Sequence, residues 1–210
     1  MTALTLSSLP FPLAPEGAPA LEHQLRDPDG ALVLASAAGS DLFADPAQAP
    51  KSDAKLPDAG RLMGVPPEGD FTLSAKVTVG FADTFDAGVL FLYAAERRWA
   101  KLCFELSPQH RPTAVTVVTR GLSDDCNSFE VDGDTVWLRI TRTGRAWAFH
   151  ASTDGAWWRM LRYFSLGEQD AGDTVKVGFI AQSPTGQGCT ATFEQIAFSS
   201  GAPADLRDGS

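Results

Sequence analysis

From Asp70 onward, apolar and polar positions alternate in short runs, and each run is closed by turn-forming residues. In the run from 71 to 81, Phe71, Leu73, Ala75, Val77 and Val79 share one side. Successive side chains of a strand point to opposite faces, so this pattern predicts a strand with one face in a core. The same grammar predicts strands over 86–94, 98–106, 113–120, 135–143, 146–152, 157–165, 174–182 and 189–198. Ala31 to Ala35 reads as an earlier one. Gly144 and Gly155 occupy the turns 142–145 and 153–156, where a hairpin requires positive φ. No long window carries the 3.6-residue apolar stripe of a helix. The expectation is an all-β protein, an antiparallel two-sheet sandwich.

Outside these runs the chain reads differently. Residues 1–20 look like a covering segment or short edge strands. Residues 44–69, rich in proline, glycine and charge, read as a long irregular loop of the kind that is often functional. The polar stretch 201–210 is expected to be a flexible tail that frays. With 210 residues, the chain fits one sandwich domain over 1–200. Such a domain buries roughly 70% of the surface its unfolded chain exposes and needs no staple. A net charge of -9 argues against nucleic acid or an anionic membrane as the main partner. The start lacks the basic and apolar regions of a leader, and no run approaches the ~18 apolar residues of a membrane span. Cys103, Cys126 and Cys189 are odd in number and lack metal-ligand spacing, so free thiols in a reducing, cytoplasmic setting are expected.

Strand parity also picks out a polar face. Trp99, Lys101, Cys103 and Glu105 alternate with core positions, as do Trp137 and Arg139, His150, and Gln182. If these strands share one sheet, its outward face carries Trp99, Lys101, Glu105, Trp137, Arg139, His150 and Gln182, with Arg120 at the end of its strand. Indole rings beside hydrogen-bonding groups suit a sugar, whose C–H face stacks while its hydroxyls pair. The plainer reading is a solvated face of long side chains paired to one another. Acid–base chemistry at this face would fall to Glu105 and His150. Glycoside hydrolysis needs paired carboxylates, and the Glu-x-Asp-x-x-Glu strand pattern of sandwich glucanases is absent. The nearest approach, Glu168 to Asp173, ends in the wrong residue. Asp124, Asp125 and Asn127 are weak candidates for a calcium loop, although such residues also serve turns by bonding nearby amides. No cofactor is expected.

Several of these segments taken together resemble a known family. They are Asp86-Ala87-Gly88-Val89-Leu90, Arg98 to Glu105, Val117-Val118-Thr119-Arg120-Gly121, Ser123-Asp124-Asp125, Trp137-Leu138-Arg139, His150 to Gly155, and Val177 to Pro184. The chain resembles the concanavalin A-like family that includes the fungal regulator-of-enolase protein, over about Asp70 to Phe198. The resemblance implies a jelly-roll of the lectin and glucanase type, with a concave sheet face. It establishes no reaction. The leading expectation is an intracellular binding module for a carbohydrate or another polyhydroxylated metabolite. The alternatives are a carbohydrate-active isomerase, lyase or atypical hydrolase, and a regulatory domain that grips a metabolic enzyme.

Overall fold

The alternating runs fold into the strands they predict, and four further strands join them. The computed structural model describes residues 3–18, 21–26, 30–48, 58–167 and 174–210; the stretch 168–173, with its partial carboxylate pattern, lies outside the described residues. The strands are β1 (Ala14–Glu16), β2 (Glu22–Arg26), β3 (Ala31–Ala35), β4 (Arg61–Gly64), β5 (Phe71–Gly80), β6 (Ala87–Ala95) and β7 (Arg98–Leu106). They continue with β8 (Pro112–Arg120), β9 (Leu122–Glu130), β10 (Thr135–Thr143), β11 (Ala146–Ser152), β12 (Arg159–Phe164), β13 (Lys176–Gln182) and β14 (Thr190–Ser200). A first seven-stranded sheet runs β1-β4-β13-β6-β7-β8-β9, and a second runs β12-β11-β10-β5-β14-β3-β2.

The inward faces of the two sheets form the main core. Leu90, Leu92, Leu102, Phe104, Val177 and Phe179 of the first sheet meet Leu32, Leu73, Val77, Leu138, Ile140, Phe149 and Phe193 of the second. The rings of Phe179 and Phe193 lie 5.0 Å apart, edge to face, across the layer. Burying one such side chain stabilises the fold by about 1.5–3 kcal/mol, and β5, with five apolar residues on one face, supplies a central row.

The additional strands follow from pairing, not periodicity. β4 has all four residues buried, with Leu62 in the main core and Met63 on the opposite side, so the expected loop over 44–69 contains a fully paired strand. It fits beside β13 because Gly178 has no side chain; a Cβ there would run into the Leu62 carbonyl oxygen. β9 replaces the loop expected around Ser123 to Ser128. An edge strand needs one neighbour only, and its charges discourage pairing with other chains. Asp124 and Asp125 are therefore successive strand residues on opposite faces. Asp125 stands beside Val117, and Asp124 binds Arg162 at 2.9 Å. The candidate calcium set of Asp124, Asp125 and Asn127 loses its loop. Among the described residues no group of three metal-binding side chains comes together.

The three cysteines are unpaired, with Cys103 and Cys189 buried and Cys126 exposed on β9. Among the described residues no helix is long and apolar enough to cross a membrane.

Candidate functional site

Strand parity holds, but the proposed polar face is divided between two sheets. Trp99, Lys101, Glu105 and Gln182 belong to the first sheet, on β7 and β13; Trp137, Arg139 and His150 belong to the second, on β10 and β11. Both sets point outward, so the core separates them. Glu105 and His150 cannot share a proton-transfer site. Arg120 joins neither set: it pairs in register with Leu122, on the same side of β8 as the core residues Ala114 and Val118. It is exposed, and its guanidinium reaches the Ser165 carbonyl at 3.4 Å.

On the first sheet the outward face carries a second apolar layer. Val89 and Phe91 of β6, Trp99 and Cys103 of β7, Val115 and Val117 of β8, and Ile180 of β13 pack there under Leu42 and Ala59. Trp99 is sealed in this layer at 1% exposure, with its ring 6.1 Å from Phe91. It offers no surface for stacking. Sequence parity could not show that the segments around Leu42 and Ala59 fold back over the sheet.

Where that cover stops, a cleft of about 310 Å³ opens, lined by Asp41, Phe43, Phe85, Lys101, Glu105, Val115, Val117, Asp125, Gln182 and Pro184. Three of the expected site residues meet here. The Lys101 ammonium, 2% exposed, donates to Asp41 Oδ1 and to Gln182 Oε1, both at 3.1 Å. Burial works to lower its pKa, but Asp41, together with Glu105, outweighs it and holds the ammonium above the ordinary lysine value. Glu105, four residues along β7, is pushed up to about 7. Burial is the main cause, opposed by Lys101 and reinforced by Asp41 and Asp125. Burial likewise raises the Cys103 thiol, which leaves it no nucleophile.

The aromatic walls, Phe43 and Phe85, were absent from the expected set. Phe85 has a backbone φ of 70°, a left-handed conformation unusual for a bulky side chain. The turn before β6 holds it there. The Phe85 amide donates to the Leu106 carbonyl at 2.8 Å, while the fully buried Asp86 carboxylate accepts from the amides of Ala82 and Asp83 and from the Ser183 hydroxyl. The Ser183 amide in turn donates to the hydroxyl and carbonyl oxygens of Ser40, which anchors that segment. This network fixes Asp41 and Gln182 on either side of Lys101. The only sequence signal for it is a short polar turn ahead of an apolar strand.

On the second sheet the outward face is occupied by the chain itself. Arg139 donates to the Ser210 backbone oxygen at 2.6 Å and lies over the Trp158 ring at 4.4 Å, and His150 Nε2 pairs with the Leu206 carbonyl at 2.9 Å. Burial, with Arg139 nearby, lowers the His150 pKa to about 4 against the opposing Leu206 bond, so the ring is neutral. The tail expected to fray therefore lies across this face. The Trp137 indole donates to Gln195 at 3.0 Å, and Gly155 leaves room for its ring.

The two seven-stranded antiparallel sheets and their outer-face cleft define a jelly-roll β-sandwich of the concanavalin A-like kind. The chain belongs to the family described as "Protein of unknown function (DUF1349)", whose pattern matches residues 21–201. Among solved structures, it is similar to a functionally unknown protein from Saccharomyces cerevisiae, with 18% identity, 87% of this chain and 97% of that one covered, and a TM-score of 0.70. A GH43 protein from Bacillus licheniformis aligns at 16% identity over 84% of this chain and 34% of its own, with a TM-score of 0.66. A xylan β-1,4-xylosidase from Bacillus halodurans aligns at 13% identity over 84% and 34%, with a TM-score of 0.64. The chain thus spans nearly all of the yeast protein and about a third of the two bacterial ones. No curated protein sequence matches it.

Proposed function

We propose that the cleft on the outer face of the first sheet binds a carbohydrate or another polyhydroxylated metabolite. The observation that carries this reading is the meeting of Lys101, Glu105 and Gln182 with the rings of Phe43 and Phe85 in one open cleft of about 310 Å³. Lys101 has three N–H donors and commits two of them to Asp41 and Gln182, which leaves one for a hydroxyl. Glu105, with a pKa of about 7, can accept or donate near neutrality. The apolar floor and walls suit the C–H face of a ring. The xylosidase relative shares the sandwich over about a third of its length, an analogy of fold that supports the reading without naming a ligand. Calorimetry with a panel of neutral mono- and disaccharides tests it. Binding at millimolar concentration or better is expected, weakened in Glu105→Gln and Gln182→Ala by roughly 1 kcal/mol each, the worth of one hydrogen bond. A silent panel overturns it.

The raised pKa of Glu105 favours a second reading, acid–base chemistry on the bound polyol. In that case Glu105→Gln loses turnover and keeps ligand. The narrower resemblance to the fungal regulator-of-enolase protein makes a metabolic enzyme the alternative partner. A stoichiometric enzyme retained from host lysate would be its signature.

A further inference from the structure

Among the described residues lining the cleft, three carboxylates, Asp41, Glu105 and Asp125, face one cation, Lys101. Asp41 already neutralises Lys101 at 3.1 Å. Glu105 on β7 and Asp125 on β9 lie on either side of β8, whose Val115 and Val117 form part of the cleft lining between them. Val117 of β8 pairs with Lys101 on one side and Asp125 on the other, and Glu105 stands four residues beyond Lys101, so Glu105 and Asp125 lie diagonally across the Val115 and Val117 floor with backbones roughly 16 Å apart. The Asp125 charge contributes to raising Glu105. The rings of Phe43 and Phe85 also line this space, and aromatic faces attract cations. A net charge of -9 steers cations toward the molecule and anions away.

We infer that the cleft takes a polyol bearing a protonated amine, seated over Val115 and Val117 with its ammonium in the joint field of Glu105 and Asp125, and that it turns away uronates and sugar phosphates. The inference rests on the reading of the cleft as a polyol site and adds the charge of its ligand. Glu105 is the sensitive partner: its ionisation across neutrality strengthens the hold on a cation as pH rises.

Glucamine, sorbitol and gluconate share one carbon skeleton and differ in charge, so calorimetric titration with the three isolates the effect. At about pH 8 and low salt, glucamine is expected to bind at least roughly tenfold tighter than sorbitol, with gluconate weakest. The glucamine-to-sorbitol ratio is expected to shrink at about pH 6 and to fall at least about threefold in Asp125→Asn. Equal affinities, or gluconate binding tightest, overturn the charge selectivity and leave the polyol reading standing. An amine preference that persists unchanged in Asp125→Asn overturns the placement of the ammonium. If none of the three binds at millimolar concentration while the neutral saccharide panel does, the amine inference alone falls; if the panel is silent as well, the polyol reading falls with it.

Discussion

Lys101 carries a full charge into an apolar layer, and the fold tolerates it because Asp41 and Gln182 meet it there, each at 3.1 Å. Such a pair is weak support for stability as a whole but costly to break on one side, since the remaining charge is left buried and uncompensated. Asp41→Ala is therefore expected to cost about 3 kcal/mol, while Lys101→Met, which removes the charge and keeps the bulk, stays within about 1 kcal/mol of wild type. Urea denaturation of both variants checks the asymmetry; equal losses would show that packing governs this position, not charge. Glu105 behaves in the opposite sense. Its pKa is higher folded, about 7, than the 4.5 of a free glutamate. The stability linked to its protonated form is complete below about 4.5 and is lost as pH rises through about 7. Glu105→Gln removes that loss, so the variant is expected to gain in Tm relative to wild type from about pH 5 to about pH 8. A constant difference across the range would place the carboxyl in water.

At the scale of elements, the segment 201–210 and strands β10 and β11 act together. The tail lies over His150 and Arg139 through the Leu206 and Ser210 backbone oxygens, and it buries a neutral histidine. A pKa lowered to about 4 means that His150 contributes stability above about 6.5, lost as pH falls through about 4. Deleting residues 205–210 returns the ring to water, and its pKa, followed by NMR titration, is expected to climb from about 4 toward 6.5. A ring that stays near 4 without the tail would assign the burial to the sheet alone. The strands themselves were largely legible in the sequence, because period-two alternation marks any strand with one buried face, as in β5. β4 was not. With both faces buried and only four residues, it has no alternation, and prolines and glycines surround it. β9 was hidden by its composition: aspartate, asparagine and serine read as a turn, although one neighbour, β8, was enough to extend them. Parity placed Lys101, Glu105 and Gln182 outward correctly. It carried no information about which sheet each strand joins, and so it merged two faces into one.

For the whole molecule, the difference between the two outer faces decides where function can reside. The second sheet's face is roofed by the tail, and its Trp137, Arg139 and His150 are engaged by Gln195, Ser210 and Leu206. The first sheet's face is roofed only in part by the segments around Leu42 and Ala59, and the uncovered remainder is the cleft. Its walls come from chain regions far apart in sequence, which is why Phe43 and Phe85 could not be singled out beforehand. Backbone amide NMR during titration with a neutral saccharide separates the two faces most directly. Shifts are expected to concentrate at Asp41, Phe43, Phe85, Lys101, Glu105, Asp125 and Gln182, with Trp137, Arg139 and His150 still. Shifts centred on those last three residues, with the cleft unmoved, would contradict this.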